Sequence, residues 1–100
     1  MPQLSIDLPH TLGQEEAARR LKERFDYATD TYRAHLKDFN HQWDDHTFSF
    51  GFQAMGMEVA GTLAVEPALV KLNVQLPFAA MLFKKTIEDR VRHEVGRMLT

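Results

Sequence analysis

The chain has 100 residues, 44% of them hydrophobic and 26% charged, which fits a single globular domain over residues 1–100 with a core of its own. It has no cysteine, so a disulfide framework, thiol chemistry and a cysteine-based zinc site are excluded. With 12 basic and 14 acidic residues the formal net charge is −2, less basic than a general nucleic-acid binder would be, and no nucleic-acid partner is expected.

Met1-Pro2-Gln3-Leu4-Ser5 shows neither the basic start nor the apolar run of a signal peptide, and a cytoplasmic location is expected. The longest apolar run, Phe78 to Phe83, falls far short of the roughly 20 residues of a transmembrane helix.

Leu4, Ile6 and Leu8 alternate with Gln3, Ser5 and Asp7, the period of a half-buried strand that Pro9 ends. Thr11 opens a helix, with Gln14 three residues on as in a capping box and Glu15 and Glu16 at the positive end. Ala18, Leu21, Phe25, Ala28 and Tyr32 form its apolar stripe, and the helix is expected to end near Lys37. From Phe39 the period changes to two. Phe39 to Trp43 is a short strand, Asp44-Asp45 a turn, and Phe48, Phe50 and Phe52 the apolar phase of the next strand. Met55-Gly56 turns the chain into a strand with Met57, Val59, Leu63 and Val65 in phase. Glu66-Pro67 turns it into another with Val70, Leu72, Val74 and Leu76.

Each strand has one apolar and one polar phase, and there are too few strands for a second sheet. The expectation is an α+β, two-layer domain, β-α-β-β-β-β-α. A four-stranded antiparallel meander over 39–76, with residues 3–8 as a fifth strand at either edge, carries two helices on one face. The second helix is expected from Phe78 to Leu99, after Pro77, with Phe83, Ile87, Val91, Val95 and Met98 inward. Two helices on so small a sheet are expected to fill the space between with side chains.

No catalytic constellation emerges, so no enzyme, no cofactor and no metal site is expected. His41 and His46 flank Asp44 and Asp45, but they sit on different strands of a hairpin and match no ligand spacing; they read as solvated turn residues. His10 precedes a helix start and suits local hydrogen bonding, while His35 and His93 lie on polar helix faces. Glu88 and Arg92 read as an i,i+4 pair on a solvated face. Gly51, Gly56 and Gly61 lack the Lys-Ser/Thr of a phosphate loop, and Ser49 lacks a nucleophile elbow. Gly61 falls on the inward phase, where glycine marks a bulge or the close approach of a helix. The aromatic phase belongs with Val59, Leu63 and Val70, so it reads as core rather than as a base-stacking platform.

One feature exceeds structural need. Residues rotated by about 100° from one another cannot all face one sheet, so some of Phe78 to Phe83 face outward. Phe78, Met81 or Leu82 is expected to be exposed, or buried only by a second protomer in a homodimer. With Lys84 and Lys85 these three form a candidate interaction patch suited to a water–apolar interface or a partner protein.

His10-Thr11-Leu12-Gly13 with Glu16-Ala17, Trp43 with Asp45, Gly56-Met57 with Gly61, and Leu76-Pro77-Phe78 leading to Phe83-Lys84 and Ile87-Glu88 together resemble the small bacterial polyhydroxyalkanoic acid system family. The resemblance covers nearly the whole chain. It implies association with polyester storage granules, through the granule surface or a granule-associated protein, and no enzymatic activity. The alternative is a carrier of small hydrophobic ligands with a pocket between helix and sheet, which an empty apolar cavity of about several hundred Å3 would favour.

Overall fold

Alternating apolar and polar residues build a sheet with two unlike faces. The computed structural model describes residues 3–32, 34, 37–54 and 56–99. The elements in chain order are β1 (Gln3–Pro9), α1 (Gln14–Tyr32), β2 (Lys37–Asp44), β3 (Thr47–Ala54), β4 (Met57–Val65), β5 (Leu69–Gln75), a 3-10 helix (Phe78–Phe83) and α2 (Lys84–Met98). The sheet is antiparallel with strand order β1-β5-β4-β3-β2, so the meander is realised and β1 joins its β5 edge. The side chain of Tyr32, together with His35 and Met55, lies outside the described residues.

Register fixes the inner face. Leu4, Ile6 and Leu8 lie opposite Val74, Leu72 and Val70, and Leu63 lies between Leu72 and Phe48. Leu4, Ile6, Leu63, Val65 and Val70 are all at most 2% exposed, so the core is centred on β1, β5 and the C-terminal half of β4. Each such side chain contributes about 1.5–3 kcal/mol by leaving water.

Gly61 lies opposite Phe50 and Val74 on that face. A Cβ there would stand 2.6 Å from the Asn73 carbonyl oxygen and 2.8 Å from Cζ of Phe50. The close approach is therefore by the ring of the neighbouring strand, which lies across the glycine, and not by a helix.

Four boundaries differ from the sequence reading. Helix α1 starts at Gln14, not Thr11, because Gly13 adopts φ +81° and its carbonyl accepts the first helical bond from Ala17 N–H. Gln14 closes no capping box; its Nε2 donates to the Val65 carbonyl at 2.8 Å and ties the helix start to β4. Helix α1 ends at Tyr32, and β2 begins at Lys37 with a register shift before Asn40, where Asp38 has φ 54°. The β2–β3 turn is centred on Asp45 and His46, one residue later than expected, because Asp44 still pairs with Thr47. Asp45 takes φ 57°, a left-handed conformation that aspartate tolerates better than most residues.

The last difference concerns Phe78 to Phe83. The segment is a 3-10 helix with no buried residue, and α2 begins only at Lys84. Phe83, expected inward, is 60% exposed, because the change of helix type at its φ −110° breaks the phase of the stripe. Val95 and Leu99 are buried, and Ile87, Val91 and Met98 are half-buried on the inward side.

The Gly61→Ala protein is expected to lose about 1–3 kcal/mol of stability, since the Asn73 carbonyl belongs to a paired strand and cannot step aside. The readout is a lower urea midpoint at unchanged m-value. Leu63→Ala, which leaves a void in the centre of the core, is expected to cost about 2–5 kcal/mol.

Candidate functional site: an apolar cleft and an exposed turn

The inner face of the sheet is not fully covered. An apolar cleft of about 550 Å3 opens between α1, α2 and the sheet. Its floor carries Phe48, Phe50, Phe52 and Val59; Phe25 and Ala28 of α1 form one wall, and Ile87, Val91 and Val95 of α2 the other. Of the described residues lining it, Thr29 alone is polar, and none is charged. Among the described residues, side chains therefore do not fill this space, contrary to expectation.

Aromatic rings make the floor. Phe48 lies 5.7 Å from Phe50 and 5.0 Å from both Phe25 and Trp43, centroid to centroid. Phe52 continues the row at 6.5 Å from Phe50, and Phe39 of β2 lies 6.3 Å from Phe52. The offsets suit aromatic pairing, and the row gives the cleft a stiff base.

Burial is uneven along both helices. In α1, Ala17, Ala18, Leu21 and Thr29 are buried, while Phe25 and Ala28 are only half-buried. In α2, Val95 is buried, Ile87 and Val91 are half-buried, and Phe83, just before it, is exposed. Gln14 and the Glu15–His46 pair pin the start of α1 at the sheet end that carries Val65. The opposite end carries Phe52 and Val59, which are half-buried, beside Leu4, Val74 and Leu76, which are buried. The chain leaves β5 at that same end through Leu76 and Pro77 and enters the 3-10 helix, none of whose residues lines the cleft.

The candidate patch is placed as follows. Phe78 is 81% exposed and Leu82 88%, while Met81 is half-buried. Lys84 and Lys85 are exposed in the first turn of α2, which has no side-chain cap and no acidic residue. Two cations at the positive end of a helix dipole oppose it, whereas acidic residues there would favour it. Phe78, Leu82, Phe83, Lys84 and Lys85 are thus all exposed where the 3-10 helix runs into α2. The sequence reading missed Phe83, which its position on a presumed inward stripe concealed.

The histidines and acids near the β2–β3 turn part company. His41 faces the inner side with the aromatic row, 5.3 Å from Phe39 and 5.9 Å from Phe48. His46 is not a merely solvated turn residue: its Nε2 meets Glu15 Oε1 at 2.6 Å and its Nδ1 meets Asp45 Oδ1 at 3.1 Å. Beside them Lys22 Nζ lies over the Trp43 ring, 5.2 Å from its centroid. Among the described residues, no group of three or more histidine or acidic side chains has the geometry to hold a metal ion. His10 bonds locally, accepting from Leu12 N–H at Nδ1 (3.3 Å), and beyond that expectation also across the fold, its Nε2 bonding the Glu66 carbonyl (2.9 Å). Arg92 pairs with Glu88 at 3.1 Å and also donates to the Asp7 carbonyl at 3.3 Å, which joins α2 to β1.

The hydrogen bond to Glu15, with Asp45 alongside, holds the His46 imidazolium above the ordinary histidine range. A pKa raised by folding stabilises the folded state fully below the unfolded value, and the gain is lost as pH rises through the folded value. Unfolding free energy is therefore expected to fall as pH climbs through and above the normal histidine range. His46→Gln is expected to flatten that part of the stability–pH curve, measured by urea denaturation at a series of pH values.

Among the described residues, no helix is long and apolar enough to cross a membrane. A family model described as "Putative polyhydroxyalkanoic acid system protein" matches residues 4–99. No curated protein and no solved structure matches the chain.

Proposed function

Since the chain belongs to the polyhydroxyalkanoic acid system family, we propose that it is a non-enzymatic accessory protein that docks on the surface of polyester storage granules through the corner formed by Phe78, Leu82, Phe83, Lys84 and Lys85. The observation that carries this reading is the local conflict at Phe78 to Lys85. Six apolar residues bury none of their number, and two lysines follow them against the helix dipole. Local rules broken together, without a structural return, mark a functional surface.

The chemistry suits a granule. A polyester body in water presents an apolar phase behind an interface, and interfacial segments combine exposed aromatic and aliphatic side chains with flanking lysines. Phe78, Leu82 and Phe83 would each contribute up to about 1.5–3 kcal/mol on leaving water. The lysines stay in water at the rim.

The experiment is co-sedimentation of purified protein with isolated granules, alongside thermal stability. Leu82→Ser and Phe78→Ser are expected to weaken docking at least about tenfold, the equivalent of ~1.4 kcal/mol. Both side chains are exposed, so stability should stay within about 0.5 kcal/mol. Changing Lys84 and Lys85 to Glu separates docking from stability: the helix gains about 0.3–1 kcal/mol per favourable charge while docking weakens. Variants that fold and still sediment like the parent contradict the reading. So does a parent dimer that these substitutions convert to monomer without loss of docking.

A further inference from the structure

We infer that the apolar cleft is a binding site for one unbranched acyl chain, taken up with its hydrocarbon inward and its polar end left in water. The inference goes beyond granule docking and does not depend on it. It rests on residues that line the cleft, none of which belongs to the exposed corner.

The lining selects the ligand. With Thr29 as the only polar residue among the described lining residues, the cleft offers no partner for a buried charge or for several buried polar groups. A ligand with polar atoms spread along its length would leave them unsatisfied there. A ligand whose polar atoms are gathered at one end can leave them in water and bury the rest. The volume of about 550 Å3 lies within the roughly 300–1,000 Å3 that small-molecule sites occupy.

The shape favours a chain over a compact ring system. The lining runs from Leu4 on β1 to Phe39 on β2, and so crosses all five strands of the sheet. On α2 the lining residues Ile87, Val91 and Val95 repeat every fourth position and give a continuous aliphatic rail. The Phe50 ring lies flat across Gly61, so the floor stays low where a side chain at that glycine would raise it.

The test uses the whole protein and free fatty acids in solution, with no granule present. Octanoate, decanoate and dodecanoate are titrated against protein loaded with anilinonaphthalene sulfonate, and displacement of the dye is read by fluorescence. Saturable binding of one chain per protomer is expected, tightening about fourfold for each added methylene, the equivalent of ~0.8 kcal/mol per CH2, until the trough is full. Ala28→Phe and Val91→Phe, which fill the trough from opposite walls, are expected to weaken dodecanoate at least about tenfold. Should one of them fail to fold, the other and the chain-length series on the unaltered protein still decide. Leu82→Ser is expected to bind dodecanoate like the parent, so loss of granule docking and loss of chain binding are read separately. Absence of saturable binding, affinity indifferent to chain length, or folded trough variants that bind like the parent would each overturn the inference. A dimer that covers the trough and excludes every fatty acid would overturn it too.

Discussion

The structure depends on one constraint: a five-stranded sheet whose inner face is apolar from edge to edge, with two helices to cover it. The cover is tight where small residues allow it. Ala17 and Ala18 bring α1 down onto the sheet, and Leu21 and Val95 close the layer there. Bulky rings run in a row from that packed end toward the other: Phe48 is buried with Phe25 stacked on it, while Phe50 and Phe52 beyond it are half-buried. The contrast in side-chain size accompanies the change from packed core to open cleft along a single interface.

The arrangement links stability to function through position. The tightly packed end carries the devices that fix the fold: the Gln14 bond to Val65, the His46–Glu15 pair and the fully buried Val65 and Val70. The loose end carries the cleft, the 3-10 helix and the uncapped lysines. Local sequence choices that oppose stability are gathered there, away from the part that holds the domain together. A domain so divided can alter its exposed corner and its trough with little effect on its core.

Much of this was legible in the sequence, and the reasons for the rest are physical. The period-two pattern gave the strands, their inner phase and the meander, because a one-residue slip would turn every phenylalanine outward. The outward placement of Phe78 and Leu82 followed from geometry that holds for any helix type: six consecutive side chains cannot share one face. The start of α1 was misread because Thr11 and Gln14 satisfy a capping pattern, while the tertiary bond from Gln14 to Val65 and the positive φ of Gly13 decide the outcome. Phe83 was misread because an i,i+4 stripe assumes one helix type throughout. The cleft entered the sequence reading only as the alternative of a pocket between helix and sheet. A sequence shows which faces are apolar, but the gap between two layers depends on which side chains meet across it.

The central claim is that the aromatic floor of this sheet is open at one end and packed at the other. Solvent paramagnetic relaxation, measured by NMR with a soluble spin probe, tests it most directly. The account predicts strong attenuation for the ring protons of Phe50 and Phe52 and the methyls of Ile87 and Val91, beside protection of Leu63, Val65 and Val70. Equal protection of both groups would mean that the helices close over the whole sheet, and would contradict the account.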